Sequence, residues 1–195
     1  MKTRLGLVAA TLTAGLLISA APSAHAETWR HTDATGDVRV AELEEGTPDP
    51  LPSAVDRHER RGDITRVTAT YTRDSLRVAT SLRAFDNADN RIQVRIFTSH
   101  SSTFDLVHVR RGAQVTTAFT RSYRAQECEG LRVTPTASGV VATVPRSCLV
   151  GAYRVRVGVL TNTYDRSYER GTRDDALRTG VTSATPRLGS WIAAG

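Results

Sequence analysis

The sequence predicts an all-β fold, an antiparallel jelly-roll-like sandwich, and three observations predict it. Apolar and polar residues alternate with a period of two along most of the chain. Breakers interrupt that alternation at short intervals, and no stretch carries a helical stripe longer than two turns. Val67, Ala69 and Tyr71 alternate with threonines; Leu76, Val78 and Leu82 alternate with Arg77, Ser81 and Arg83. Ile92, Val94 and Ile96 face one way, with Gln93 and Arg95 between them. Segments 104–109, 115–119, 140–144 and 153–159 repeat the pattern, and turns are expected at 73–75, 86–90, 111–112 and 138–139. With a first strand after the opening turn, this amounts to about eight strands, the count of a sandwich or barrel.

Cys128 and Cys148 are equidistant from Ser138, in the middle of the expected Ala137-Ser138-Gly139 turn. Residues equidistant from a hairpin turn face each other across its strands, so the two thiols meet at the base of the 131–144 hairpin and a disulfide is expected. Two segments lack strand alternation. The stretch 42–61 is acidic and proline-rich and reads as a mobile surface excursion. The stretch 162–176 is rich in Tyr, Arg and Asp and reads as a loop after a strand ending near Leu160. Binding residues tend to collect on such rim loops, which makes Tyr164, Asp165, Arg166 and Tyr168 candidates for ligand contact.

Residues 1–26 read as a secretory signal peptide. Lys2 and Arg4 precede an apolar run from Leu5 to Ala21, and Ala24-His25-Ala26 supplies small residues for cleavage. Residues 27–195 are then one secreted domain, expected to be monomeric and without a membrane-inserted segment. It has 24 basic residues, all arginine, against 20 acidic ones. The arginines are scattered among acids, not gathered on one face or arm, which argues against nucleic acid as the partner.

Several catalytic signatures fail. His58-Glu59 starts like a zinc-protease helix, but Gly62 occupies the position of the second histidine. Neither a Gly-x-Ser-x-Gly elbow nor a phosphate-loop glycine pattern is present. Two Gly-Asp steps, in the stretches DATGDV at 33–38 and ERRGDI at 59–64, each precede a β-branched residue and read as turns that open strands. Arg61-Gly62-Asp63 spells an adhesion tripeptide, but its aspartate leads straight into a strand. The aspartates also suit calcium, which takes six to eight oxygens with carboxylates on irregular backbone. Asp33, Asp37 and Asp63 are the candidate ligands. The alternative is an Asx-type turn, in which each aspartate accepts from nearby backbone N–H groups.

Asp33-x-x-Gly36-Asp37-Val38, the acidic proline-rich gap, Gly62-Asp63-Ile64 and Asp74-Ser75-Leu76-Arg77-Val78 together resemble the opening of secreted β-sandwich modules related to carbohydrate-binding family 9 and DOMON-like domains. The resemblance covers roughly residues 29–84. It implies a jelly-roll-like sandwich, in some members with a structural calcium, that binds sugars, haem or surfaces. Val144-Pro145-Arg146-Ser147-Cys148-Leu149 is also similar to a step in a group of uncharacterised small secreted proteins. The chain departs from the sugar-binding pattern in having only Trp29 and Trp191 as tryptophans, near its two ends, which leaves Tyr164 and Tyr168 as stacking candidates. Haem ligation would need an axial methionine, and the only one is Met1. The expectation is a non-catalytic extracellular module that binds a polysaccharide or cell-wall surface. The alternatives are a secreted hydrolase built on a carboxylate pair and an extracellular inhibitor or interaction protein.

Overall fold

The computed structural model describes residues 26–42, 54–86, 89–164, 170–180 and 183–195. The expected signal peptide lies outside them except for its last residue, as do Asp165, Arg166, Tyr168 and most of the acidic proline-rich stretch. Among the described residues no helix is long and apolar enough to cross a membrane.

The chain is an antiparallel β-sandwich. Its strands are β1 (Glu27–Thr32), β2 (Arg39–Glu42), β3 (Ala54–Val55), β4 (Ile64–Tyr71), β5 (Ser75–Leu82), β6 (Asp89–Thr98), β7 (Thr103–Arg111), β8 (Gln114–Arg121), β9 (Arg124–Ala125), β10 (Arg132–Thr136), β11 (Gly139–Pro145), β12 (Arg154–Tyr164), β13 (Arg170–Asp175) and β14 (Trp191–Ala193). Five form one sheet in the order β1-β4-β5-β11-β10. The other nine form the second, in the order β3-β2-β13-β12-β6-β7-β8-β9, with β14 also pairing β12.

The period-two residues supply the core. Val67, Ala69 and Tyr71 of β4, Leu76 and Val78 of β5 and Val140, Ala142 and Val144 of β11 face inward from the first sheet. They meet Ile92, Val94 and Ile96 of β6, Phe104 and Leu106 of β7 and Val155, Val157 and Val159 of β12. Burying branched side chains on one face while arginine and threonine keep the other wet is what fixes strand register. Segment 115–119 is the exception: Val115 is half-exposed and Phe119 alone on that strand is fully packed, so β8 extends beyond the sandwich.

Among the described residues, fourteen strands replace the expected count of about eight. The missed ones are short, such as β3, β9 and β14, or polar, such as β1 and β13. The described parts of the stretch 162–176 are not loop but lie mostly in the antiparallel strands β12 and β13, paired from Leu160↔Asp175 to Tyr164↔Gly171. Both faces of this pair are polar, with Thr163 and Thr172 sharing a hydrogen bond on the inner face and Arg173 Nε donating to Asn162 Oδ1 at 2.6 Å on the outer one, so it shows no apolar alternation. The excursion reading of 42–61 also fails at its far end. Residues Ala54–Val55 pair with β2, and Arg170 bonds Asp56 at 2.7 Å.

Cys128 and Cys148 are bridged, with their Cα atoms 5.5 Å apart, at the base of the β10–β11 hairpin. The hairpin register would set Cys128 opposite Ser147; the 3₁₀ turn Arg146–Leu149 supplies the one-residue offset.

After β13 the chain returns across the outer face of β12 as a strap. Gly189 N donates to Val157 O at 2.8 Å, and Arg187 O lies where a side chain at position 158 would begin. A Cβ on Gly158 would sit 2.1 Å from that oxygen. Gly158→Ala therefore forces strand and strap apart, an overpacking that should cost about 1–3 kcal/mol. Urea unfolding measures it, and an unchanged midpoint would mean the strap does not close on β12.

Candidate metal centre

The first Gly-Asp step lies where the chain leaves the first sheet after β1 and enters the second at β2. Thr32 ends β1, and Asp33 N still donates to Thr65 O of β4 at 3.1 Å, which holds the start of the crossover beside β4. Gly36 then turns the chain with φ of +77°, a backbone conformation that favours glycine, and Asp37 follows immediately before Val38 and β2. A Cβ on Gly36 would also come 3.1 Å from Arg57 O. The second step, Gly62-Asp63, opens β4, and Gly62 has φ of +72°. Both steps are therefore turns that open strands, one in each sheet.

Oxygens of Asp33, Asp37 and Asp174 all lie within 4.8 Å of one another. Asp174 comes from the end of β13, whose Arg173 pairs with Arg39 of β2, so strand pairing carries it alongside Asp37. Its other role is to join the sheets: Ile64 N of β4 donates to Asp174 Oδ2 at 2.6 Å. Asp63 stands at the side of the cluster. Its Oδ2 accepts from Gly36 N at 2.9 Å and pairs with Arg83 at 3.4 Å.

Burial separates this arrangement from an ordinary Asx turn. Asp33, Asp37, Asp63 and Asp174 are 8, 6, 0 and 3% exposed. Among the described residues Asp33 Oδ2, both oxygens of Asp37 and Asp63 Oδ1 have no hydrogen-bond partner. An Asx turn would satisfy these oxygens with backbone N–H groups, and only Asp33 Oδ1 does so locally, accepting from Ala34 N at 2.9 Å. Leaving buried carboxylate oxygens unpaired costs several kcal/mol, and Arg83 pairs with only one member of the group, Asp63, at 3.4 Å.

The electrostatics express the same conflict. Burial, then the Asp37 charge, pushes the Asp33 carboxyl from its usual 3.8 up to about 8. Burial and the Asp33 charge raise Asp174 to about 9 against the opposing bond from Ile64 N. Burial also raises Asp37; its own amide and that of Gly180 oppose the shift, but neither forms a hydrogen bond with it. A divalent ion at the shared point would hold these groups ionised.

The donor set is all oxygen, which suits a hard cation and not zinc, whose structural sites are dominated by Cys and His. Opposite oxygens on a calcium ion lie about 4.6–5.2 Å apart, twice the 2.3–2.6 Å bond, so the three carboxylates fit within one coordination sphere. Asp63 Oδ1 is the fourth oxygen for which no donor is present.

Asp33, Asp37 and Asp63, expected as ligands from the sequence, are thus brought to one neighbourhood, and Asp174 joins them. Its only trace in the sequence is the acidic pair Asp174-Asp175 in the stretch read as a loop. Asp63 is fully buried, which removes it from any adhesion surface. Tyr164 lines a separate cavity of about 280 Å³ with Phe85, Asp86, Asp89 and Asn90. Trp29 and Trp191, from the two ends of the described chain, line one cleft together.

Comparison with protein-family models, with curated proteins and with solved structures returned no match. The likeness to carbohydrate-binding family 9 and DOMON-like modules therefore rests on the residues between 29 and 84 alone.

Proposed function

We propose that this chain is a calcium-stabilised, non-catalytic β-sandwich that acts outside the cell as a module binding polysaccharide or cell-wall surface. The observation that carries the calcium part is the set of buried, unpartnered carboxylate oxygens on Asp33, Asp37 and Asp63, with Asp174 beside them. An ion there ties the β1–β2 crossover, the start of β4 and the end of β13 to one point, and so clamps the two sheets at one end. The secretory reading of residues 1–26 supports a calcium-rich setting.

Asp37→Asn tests the site. The substitution keeps the volume and removes one charge whose oxygens have no protein partner. It should weaken calcium binding at least about tenfold while the ion-free protein stays folded, because it relieves like-charge crowding. Calcium affinity equal to that of the parent would remove Asp37 from the coordination sphere.

One observation favours the hydrolase reading as a second possibility: Asp86 and Asp89 line the same cavity as Tyr164. Hydrolysis by a carboxylate pair needs both acids facing one bond. Release of reducing ends from polysaccharide, lost in both Asp86→Asn and Asp89→Asn, would establish it; no release leaves the binding-module reading.

A further inference from the structure

The cleft that holds both tryptophans contains nothing used by the metal centre. It opens at the flank of the sandwich, between the edge strand β1 and the strap with β14, and has a volume of about 590 Å³. Trp29 and His31 enter from β1, and Arg156, Arg187 and Trp191 from the opposite sheet and strap. The Trp29 and His31 rings lie parallel, tilted by 8° with centroids 6.0 Å apart.

Both walls are built rather than incidental. The Trp29 indole packs against the backbone of Gly189, where a Cβ would come within 2.5 Å of its Cζ2. Arg156 is aimed by two strap carbonyls, its Nε donating to Gly189 O at 2.7 Å and its Nη2 to Leu188 O at 3.3 Å. Asp175 pins the strap, accepting from Arg187 N at 3.0 Å, and Arg178 donates to Thr185 O at 2.8 Å. The Arg154 guanidinium lies 4.7 Å from the Trp191 ring centroid. Fixed aromatic surface of this kind binds without the cost of ordering it.

The charge of the lining is basic, while the carboxylates beside it, Asp175 and Glu27, accept from the backbone of Arg187 and Ala193. No carboxylate is among the described residues that line the cleft. Arg154, Arg156 and Arg187 form no ion pair among the described residues. Elsewhere this protein pairs its arginines readily, as in Arg95–Asp105 at 2.8 Å. Half-buried indoles beside unneutralised guanidinium groups complement a ligand that has both an apolar face and a negative charge.

We propose that the Trp29–Trp191 cleft binds a carboxylate-bearing saccharide chain of the uronic-acid type. The indoles take the C–H faces of the sugar rings, the guanidinium fork of Arg187 takes a planar carboxylate, and Arg156, whose Nε and Nη2 hold strap carbonyls, adds its charge and Nη1. This rests on the reading of the protein as a polysaccharide-binding module, and not on the metal. A nucleic acid would also offer flat faces and negative charge, but it needs a basic groove that follows many phosphates. Here the cleft is short and its cations are few.

The chain's two tryptophans both line the cleft, so intrinsic fluorescence reads occupancy directly. Titrating the whole protein with oligogalacturonate should give a saturable change that neutral cellohexaose does not. Arg187→Gln, at an exposed position, should weaken it about tenfold, as should Trp29→Ala. Arg187→Gln keeps the test valid if Trp29→Ala fails to fold. Oligogalacturonate binding that neither variant weakens would overturn the cleft and leave the module reading standing. Failure of oligogalacturonate, cellohexaose and cell-wall polysaccharide to bind would overturn both. Tight binding of an oligothymidylate that weakens steeply with salt would replace the saccharide with a nucleic acid, and displacement by inorganic phosphate alone would replace the carboxylate.

Discussion

Adding calcium to the ion-free protein is expected to raise its melting temperature, and to raise it more as the pH increases. For a dissociation constant of about 10⁻⁴–10⁻³ M, the range of extracellular calcium modules, about 5 mM calcium contributes about 1–2.3 kcal/mol. In a domain of this size that is a rise of about 2–9 °C. The pH dependence follows from Asp33 and Asp174, whose carboxyls stand at about 8 and about 9 in the folded chain against an ordinary 3.8. Because their folded values are raised, the folded ion-free chain holds protons that the unfolded chain has released. That contribution is complete below about pH 4 and is lost as the pH rises through about 8 and about 9. The ion-free protein should therefore weaken from about pH 6 to about pH 9, the interval spanning those two values. The calcium-bound form, whose carboxylates are neutralised by the ion, should not. Melting curves with calcium and with a chelator across that range check this. A gap that stays constant or closes as the pH rises would contradict it.

Removing the disulfide should produce the second large change. Cys128→Ser with Cys148→Ser opens a loop of sequence separation 20, whose closure is worth about 3 kcal/mol. That corresponds to a fall of about 6–12 °C in melting temperature for a domain of this size. The loss should be localised. β10 is largely exposed and among the described residues pairs only with β11, at the edge of its sheet, so the bridge holds one end of that hairpin. Cys148 and Leu149 are buried, and Gln126 Nε2 donates to Cys148 O at 3.3 Å, so residues before β10 depend on the bridge as well. Hydrogen exchange should rise first in Arg132–Thr136 and in the residues leading to Cys128. An unchanged melting temperature in the double variant would show that the core alone holds the hairpin.

The sandwich was legible because its central strands bury one apolar face each, and Val67-Ala69-Tyr71 or Ile92-Val94-Ile96 advertise that in their order. The flanking strands were not legible for a physical reason. β13 is buried around Thr172, Arg173, Asp174 and Asp175, of which Thr172, Arg173 and Asp175 are satisfied by hydrogen bonds or an ion pair, so burial there leaves no hydrophobic pattern. The same polarity hid Asp174, which looked like part of a charged loop. Asp33, Asp37 and Asp63 were legible as a set because glycine at 36 and at 62 marks two sharp turns that open strands. Pairing of β1 with β4 then places those turns side by side. The joining of Trp29 and Trp191 had no signal at all. It depends on β14 pairing the outer edge of β12 and on a strap that follows no periodic rule.

The most direct measurement of the central claim is calorimetric titration of calcium into chelator-stripped protein at about pH 8, the value to which Asp33 is raised. It should show one site per chain with an observed heat that varies with the ionisation heat of the buffer, because binding releases protons, and the heat should be lost in Asp37→Asn. An absence of heat in the parent protein, together with a melting temperature that millimolar calcium does not move, would contradict the assignment of Asp33, Asp37, Asp63 and Asp174 as a metal centre.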